Sequence, residues 1–197
     1  MIAYPIHCAL TSGLFDDVVV STEDSEIATI ATAFGATVIP RPPSLASDKS
    51  SVVDVCMHAL AQPQYGKVEN FCCIYATAVF LEPFQITEAR GLLDNPAVDY
   101  VMGVSHYNYH PVQALRTEGG YLVSMWPEYQ TRKSQDYPEL VVSNGTFYWA
   151  RVCQFINDQS FYGKRLIGYT LTTVDIDTQS DYDVAQDIAA KKSLRLE

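Results

Sequence analysis

Positive charge is scarce in this sequence of 197 residues, where 13 Lys and Arg stand against 23 Asp and Glu and the formal net charge is −10. Proteins that coat nucleic acid need a basic face to displace counterions, so this balance argues against that class. A nucleotide substrate stays possible, because one metal ion and a few placed cations can offset the field locally. The hydrophobic share of 48% is too high for a disordered chain, and the length suits one α/β domain.

Long apolar runs and paired cysteines are also lacking. No apolar run approaches the roughly 20 residues of a membrane span, and the first apolar stretch has no basic region before it, so we expect neither a membrane anchor nor a signal peptide. The five cysteines are odd in number and show no C-x-x-C spacing. These features favour reduced thiols in a cytoplasmic protein over a disulfide framework or a zinc site.

Several common catalytic motifs are missing from the sequence. It contains neither the G-x-G-x-x-G pattern of dinucleotide-binding folds nor the G-x-x-x-x-G-K-[ST] pattern of the P-loop. It also lacks the G-x-S-x-G turn that carries an acyl-transfer serine. The four histidines have no metal-ligand spacing. Oxidoreductases and zinc hydrolases are therefore disfavoured.

Hydrophobic periodicity alternates between helix-like and strand-like segments. It predicts helices over 2–12, 24–34, 51–61, 86–93 and 180–191, and strands over 17–21, 37–39, 71–76, 100–104 and 172–176. This alternation predicts a mostly parallel sheet with right-handed crossovers, in which strand 71–76 is central. Two short runs around Gly119-Gly120, over 112–116 and 121–125, predict a β-hairpin. We therefore expect one domain over 1–197, with a hairpin region over 105–130 inserted in it.

Two carboxylates, Asp175 and Asp177, lie at the end of the predicted strand 172–176. Strand alternation places both on the same face, where they repel each other unless a cation lies between them. Mg²⁺ shared with phosphate oxygens is the usual solution. The alternative is that Asp175 ends the strand while Asp177 caps the following turn.

Two loops are further candidates. The proline-rich loop over 41–51 follows a strand and ends at a helix N-terminus, which is where open α/β sheets bind ligands, although such loops also serve as plain connections. The loop over 131–136 carries the adjacent cations Arg132 and Lys133, which could hold a carboxylate or a phosphate, and the aromatic run 147–149 could pack against a sugar. The alternative there is a solvated loop beside a buried aromatic strand.

Seven segments, taken in order, resemble the acylneuraminate cytidylyltransferases and most closely their pseudaminic acid branch. They are MIAYPI (1–6), DVVVST (17–22), RP with LASD (41–48), IYATA (74–78), TR with SQD (131–136), FYW (147–149) and DID (175–177). The resemblance implies a Rossmann-like, mostly parallel sheet of the nucleotide-diphospho-sugar transferase type, flanked by helices. It also implies a homodimer formed through the hairpin region.

The resemblance further implies a reaction in which CTP and a nine-carbon α-keto acid sugar (a nonulosonic acid) give a CMP-sugar and pyrophosphate. The anomeric hydroxyl attacks the α-phosphorus, and catalysis comes from positioning and from Mg²⁺. By resemblance, the metal ligands are Asp175 and Asp177, which with Arg132 form the catalytic set. The implied nucleotide-binding residues are Arg41, Asp48 and Ser51, and the implied substrate-binding residues are Tyr75, Thr77, Gln135, Asn144, Phe147 and Tyr148.

The sequence departs from the family pattern in several places. Family members open with a strand and a Gly-rich basic loop that holds the CTP phosphates, and this sequence has no such segment, so we expect little or no turnover from it as it stands. Smaller departures are Val79, Lys133, Thr146 and the Gln113-Ala114 pair, which leave the sugar open. The alternatives are a non-catalytic remnant that binds a sugar acid or pairs with another subunit, and a neuraminate or Kdo cytidylyltransferase.

Overall fold

Helices and strands alternate along the computed structural model, which describes residues 1–47 and 49–191. The helices are α1 (Ala3–Thr11), α2 (Ser25–Ala33), α3 (Val52–Leu60), α4 (Pro83–Leu92), α5 (Val152–Asp158) and α6 (Gln179–Lys191). The strands are β1 (Val19–Thr22), β2 (Thr37–Pro40), β3 (Asn70–Ile74), β4 (Tyr100–His106), β5 (Leu115–Glu118), β6 (Tyr121–Ser124), β7 (Val141–Arg151) and β8 (Leu166–Thr170). Short 3-10 turns occur in several of the connections.

The main sheet has four strands in the order β3-β7-β4-β8. Strand β7 is antiparallel to both β3 and β4, whereas β4 and β8 are parallel. Three of the four strands therefore run in the same direction, with β7 reversed between two of them. A second, parallel pair is formed by β1 and β2, and β5 and β6 form a separate hairpin.

Helices cover both faces of the main sheet. On one face, α1 and α4 pack on Phe147 and Trp149 through Cys8, Ile86 and Ala89. On the other face, α3 and α5 pack on Tyr148 and Ala150, with Phe155 fully buried among them. Helix α1 also contacts the β1–β2 pair through Ile6. The predicted α/β class, with a sheet between two layers of helices, is confirmed.

Local hydrogen bonds explain why several helix ends were predictable. The Asp24 carboxylate accepts bonds from the backbone N–H groups of Glu26 and Ile27, which caps α2. Ser51 and Asp54 form a reciprocal capping box at the start of α3. Gly13 follows α1 with a φ of +66°, a conformation that favours glycine after a helix.

Two strand predictions need correction. Strand β3, predicted to be central, pairs with β7 alone within the described residues and so lies at the edge of the main sheet. The predicted strand over 172–176 is irregular, and the strand that pairs with β4 is β8, earlier in the chain. The ladder ends where the Leu171 N–H donates to the Val104 carbonyl, because β4 beyond this point pairs with β7 alone. The sequence pattern also missed α5.

The predicted hairpin is present, but its first strand begins and ends later than predicted, at Leu115–Glu118 instead of 112–116, because Pro111–Gln113 form a 3-10 turn. Gly119 and Gly120 have φ values of +58° and +86°, which allow the tight turn between β5 and β6. Its apolar side chains are exposed, with Tyr121 at 79% and Leu122 at 70%. None of the described helices is both long and apolar enough to cross a membrane.

Candidate functional site

A cavity of about 500 Å³ opens where β2 and β3 end and α3 begins. It brings together Arg41, which follows β2, and Tyr75, which follows β3, although 34 positions separate them in the numbering of the chain. Between them lie hydroxyl groups and apolar side chains of the loop and of α3. Among the residues that the structure describes, the lining consists of Arg41, Leu45, Ala46, Ser47, Ser50, Val52, Val55 and Tyr75. Such a mixture of apolar walls and a few polar groups is typical of a small-molecule site.

The Arg41 guanidinium is held in place at the wall of this cavity. It donates to the carbonyl and the hydroxyl oxygen of Ser21, and it lies 3.8 Å from a carboxylate oxygen of Glu23. Glu23 therefore balances part of its charge. The guanidinium is fixed before any ligand binds, which lowers the entropic cost of using it for recognition.

The serines at the cavity differ from the one predicted. Ser51 is not among the lining residues, because its hydroxyl is engaged with Asp54 in the cap of α3. Ser47 and Ser50 line the cavity instead, and their hydroxyl oxygens are 3.1 Å apart. The prediction for Asp48 lies outside the described residues. The proline-rich sequence showed that this loop could bind a ligand, but not which of its hydroxyls face the cavity.

Two tyrosines connect the cavity with strand β7. The rings of Tyr75 and Tyr148 have centroids 5.7 Å apart, and the Tyr148 hydroxyl is 2.7 Å from that of Ser143. Burial is the main cause that raises the pKa of both tyrosines above the ordinary value. Both phenols are therefore neutral at physiological pH and act as hydrogen-bonding groups rather than as bases.

The other aromatic residues of 147–149 are core residues. Phe147 is fully buried, and Trp149 is 3% exposed and stacks on Phe15 with centroids 5.2 Å apart. Because their side chains fill the space between the sheet and helices α1 and α4, neither reaches the surface where a sugar would bind. Thr77 is half-buried in the turn after β3, close to the cavity in sequence but not among its lining residues.

Asp175, the first residue of the carboxylate pair, lies next to Gly145 of β7. A Cβ atom placed on Gly145 would be 3.2 Å from an Asp175 carboxylate oxygen. The Asp175 carboxylate therefore lies against the backbone of Gly145, in space that a side chain there would occupy. Burial, together with the charge of Asp177, raises the pKa of Asp175 above its ordinary value. A bound cation would relieve this repulsion.

The hydrogen bonds at the start of α6 bear on the alternative that Asp177 caps the turn after the strand. Thr178 and Asp181 form the cap, with the Thr178 hydroxyl and both backbone N–H groups of 177 and 178 donating to the Asp181 carboxylate. Asp177 contributes its backbone N–H to this cap, and its side chain does not act as the capping group. Within the described residues there is no cluster of three or more His, Cys, Asp or Glu side chains that could hold a metal. Two carboxylates suit Mg²⁺ that takes its remaining ligands from phosphate oxygens and water.

Arg132 and Gln135 are not among the residues that line the cavity. The Arg132 guanidinium carbon is 4.8 Å from the centre of the Tyr129 ring, and Gln135 is exposed in a short 3-10 turn over Ser134–Asp136. Across residues 1–47 and 49–191, no hydrogen bond or ion pair joins either side chain to the cavity or to Asp175. The structure therefore groups Arg41, Tyr75, Tyr148 and Asp175, but not the predicted residues of the 131–136 loop.

Comparison with known proteins supplies the family context. The sequence matches the family model described as cytidylyltransferase over residues 1–196. It is 28% identical to the N-acylneuraminate cytidylyltransferase of Escherichia coli O18:K1:H7, over 98% of this chain and 46% of that protein. It is 25% identical to a Helicobacter pylori protein named pseudaminic acid cytidylyltransferase and UDP-2,4-diacetamido-2,4,6-trideoxy-beta-L-altropyranose hydrolase, over 100% of this chain and 36% of that protein.

A shorter relative and two solved structures extend this comparison. The pseudaminic acid cytidylyltransferase of Campylobacter jejuni serotype O:23/36 is 27% identical, over 94% of this chain and 83% of that protein. The chain thus spans less than half the length of the E. coli and H. pylori relatives. A CMP:2-keto-3-deoxy-manno-octonic acid synthetase complexed with CTP has a similar fold, with a TM-score of 0.67 at 16% identity over 97% of this chain and 88% of that one. A 4-diphosphocytidyl-2C-methyl-D-erythritol synthase from Anaerococcus prevotii gives 0.65 at 9% identity, over 96% and 88%.

Proposed function

Because the chain belongs to the cytidylyltransferase family, we propose that it binds CTP in the cavity between Arg41 and Tyr75 and transfers CMP to a sugar acid. The observation that carries this proposal is the continuity between the cavity and the carboxylate pair. The Tyr75 N–H donates to the Thr146 carbonyl over 2.9 Å, and the neighbouring Gly145 is the residue against which Asp175 rests. A ligand in the cavity could therefore extend along β7 towards Asp175.

The proposed roles follow from this arrangement. The nucleoside lies in the cavity, where Ser47 and Ser50 offer hydroxyl groups and Arg41 a fixed guanidinium. Asp175 and Asp177 hold Mg²⁺, which when bound offsets the charge of the phosphates. The acceptor hydroxyl of the sugar attacks the α-phosphorus and pyrophosphate leaves, so no protein nucleophile is needed. The protein contributes by holding both substrates in the reactive geometry.

For the sugar, we propose a nine-carbon α-keto acid, with the pseudaminic branch ahead of neuraminate and Kdo. The names of the E. coli, H. pylori and C. jejuni relatives support the nine-carbon α-keto acid class, and the resemblance of the sequence segments favours the pseudaminic branch within it. Arg132 and Lys133 are neighbouring cations in a chain of net charge −10, and they suit the carboxylate of such a sugar.

Five free cysteines suit a reducing compartment, and we propose a cytoplasmic location.

The binding step is tested with two variants of the cavity. We expect Tyr75→Ala to weaken CTP binding about 10-fold, because a wall of the cavity is lost, a change of about 1.4 kcal/mol. The matched control is Tyr109→Ala, which removes a tyrosine that is 87% exposed and is not among the lining residues. Isothermal titration with CTP measures both. Equal affinity of the two variants would contradict the assignment of the cavity.

The reaction itself is tested by incubating the chain with CTP, Mg²⁺ and each of the three sugar acids. Formation of a CMP-sugar and pyrophosphate supports the proposed transfer, and its rate decides between the sugars. Saturable binding of a sugar acid without any binding of CTP would instead favour the non-catalytic remnant. Chromatography of the nucleotide products, together with a pyrophosphate assay, separates these outcomes.

We also propose that the hairpin region forms a homodimer contact. Its side chains Leu115 and Leu122 lie on the same face of the hairpin and are 55% and 70% exposed, and exposed apolar surface of this kind is typical of an interaction site. We expect Leu122→Lys to raise the dissociation constant of the dimer at least 10-fold, roughly 1.4 kcal/mol. Light scattering after gel filtration measures the mass. The control Phe84→Lys changes a residue on α4 that is 54% exposed, and it should leave the dimer intact.

A further inference from the structure

The Asn144 side chain is buried and fully engaged inside the protein. It is 6% exposed, its Nδ2 donates to the Ser105 hydroxyl over 3.1 Å, and its Oδ1 accepts bonds from the N–H and the hydroxyl of Thr146. An amide this buried, with its oxygen and one of its N–H groups already bonded in the interior, would have to leave the interior and give up these bonds to reach a sugar, which costs the desolvation of the groups left unpaired. Direct contact with a substrate therefore does not explain the role of the Asn144 side chain.

The same network ties two strands to the segment over 171–177 that carries the carboxylates. The Ser105 hydroxyl, which accepts from Asn144, donates to the Leu171 carbonyl over 2.9 Å. The Leu171 N–H in turn donates to the Val104 carbonyl over 3.0 Å. Both polar groups of the Leu171 backbone are thus fixed, four positions before Asp175 in the sequence.

The network also fills an irregularity between β4 and β7. The register of their pairing shifts between Met102 and Val104. A Cβ atom on the intervening Gly103 would be 2.3 Å from the Thr146 hydroxyl oxygen and 2.9 Å from the Asn144 Oδ1. The two polar side chains therefore occupy the space above Gly103, and the sheet accommodates them because that residue has no side chain.

Gly145 lies between the two network residues and meets Asp175. Its φ is +64°, and its missing Cβ would be 3.2 Å from an Asp175 carboxylate oxygen. Asn144 and Thr146 fix the backbone on either side of this glycine. The position of Asp175 therefore depends on a backbone surface that the buried network holds in place.

From this geometry we infer that Asn144 is a positioning residue, which with Ser105 and Thr146 fixes the Gly145 backbone and the 171–177 segment so that Asp175 can hold a divalent cation. The inference rests on the proposed function for the identity of the cation site. Asn144 contacts neither the cation nor the sugar. Its effect is transmitted through Leu171 on one side and Gly145 on the other.

The test compares two glycines of matched conformation. Gly145→Ala and Gly13→Ala both place a side chain at a φ near +65°, but the first meets Asp175, whereas nothing lies within 4 Å of the second. With CTP present, we expect Gly145→Ala and Asn144→Ala to weaken Mn²⁺ binding at least about 10-fold, the lower end of the loss caused by removing a partner of a metal ligand. Gly13→Ala should stay within about twofold of the unmodified chain. Electron paramagnetic resonance of free Mn²⁺ gives these affinities.

A second readout needs no metal. Hydrogen exchange of the backbone amides over 171–177 should become at least about 10-fold faster in both variants. Asn144→Ala removes bonds that anchor the segment, and Gly145→Ala places a Cβ atom against the Asp175 side chain. CTP binding without metal should change much less than Mn²⁺ binding, since neither Asn144 nor Gly145 lines the cavity. Unchanged exchange in both variants would overturn the positioning role. An unmodified chain that binds no Mn²⁺ would overturn the cation site of the proposed function, while the exchange data still decide whether the network fixes the segment.

Discussion

Asp175→Asn is expected to weaken Mn²⁺ binding in the presence of CTP at least about 100-fold. This exceeds the loss of affinity, about 10- to 100-fold, that follows when only a hydrogen-bond partner of a metal ligand is removed. The reason is the carboxylate pair itself. Asp175 and Asp177 repel each other, and the repulsion contributes to the raised pKa of Asp175. A divalent cation between them turns this unfavourable arrangement into a favourable one. An amide at either position keeps the shape but removes the charge that attracts the cation.

The control for this prediction is Asp187→Asn. Asp187 is an exposed acid on α6, in the helix that follows the carboxylate pair, so the change removes the same charge from the same part of the chain. Equal Mn²⁺ affinities of Asp175→Asn and Asp187→Asn would show that the cation responds to the net charge rather than to a built site. Asp177→Asn should resemble Asp175→Asn. The measurement is again the signal of free Mn²⁺, and it does not depend on turnover.

The parts of the fold that the sequence predicted are those held by contacts close in the chain. Asp24 bonds to N–H groups two and three residues away, and Gly13 ends α1 through its own backbone conformation. The hairpin was predictable for the same reason, because Gly119 and Gly120 determine its turn. The edge position of β3 was not, since it depends on pairing with β7, a strand that starts far along the chain.

In the candidate site too, local sequence indicated some residues, whereas the role of others depends on contacts distant in the chain. The cavity loop was a candidate from its prolines and serines. Asp175 and Asp177 were candidates from their spacing, but the strand that was to place both on one face is irregular. The role of Asn144 could not be predicted, because its partner Ser105 is 39 residues away and lies on another strand. The expected low turnover, the sugar and the contribution of Arg132 stay predictions. Phe147 shows the clearest difference between sequence and structure. Its aromatic side chain suited either a sugar-binding surface or the core, and the structure buries it in the core.

Phe147→Ala is expected to lower the free energy of unfolding by about 3–5 kcal/mol, the usual range for truncating a buried phenylalanine. The ring is fully buried, with its centroid 6.0 Å from that of Tyr169, and it packs with Ile86 of α4 and Leu171. A domain of this size is commonly stable by about 5–15 kcal/mol, so the loss would range from about a fifth of the stability to nearly all of it. Urea denaturation followed by circular dichroism measures the change. The matched control is Phe84→Ala, at a phenylalanine that is 54% exposed, for which we expect a change within about 0.5 kcal/mol.

A conservative change separates packing from substrate contact at this position. Phe147→Leu keeps an apolar side chain and should cost less than the alanine variant, about 1–2 kcal/mol, because part of the volume is filled. If Phe147 serves the core, folded Phe147→Leu should bind CTP and sugar acid as the unmodified chain does. A folded Phe147→Leu protein that loses affinity for the sugar acid alone would place the ring in the substrate site and contradict its assignment to the core. Tyr148 faces the opposite side of β7 and approaches Tyr75 at the cavity, so Tyr148→Phe should change ligand affinity more than it changes stability.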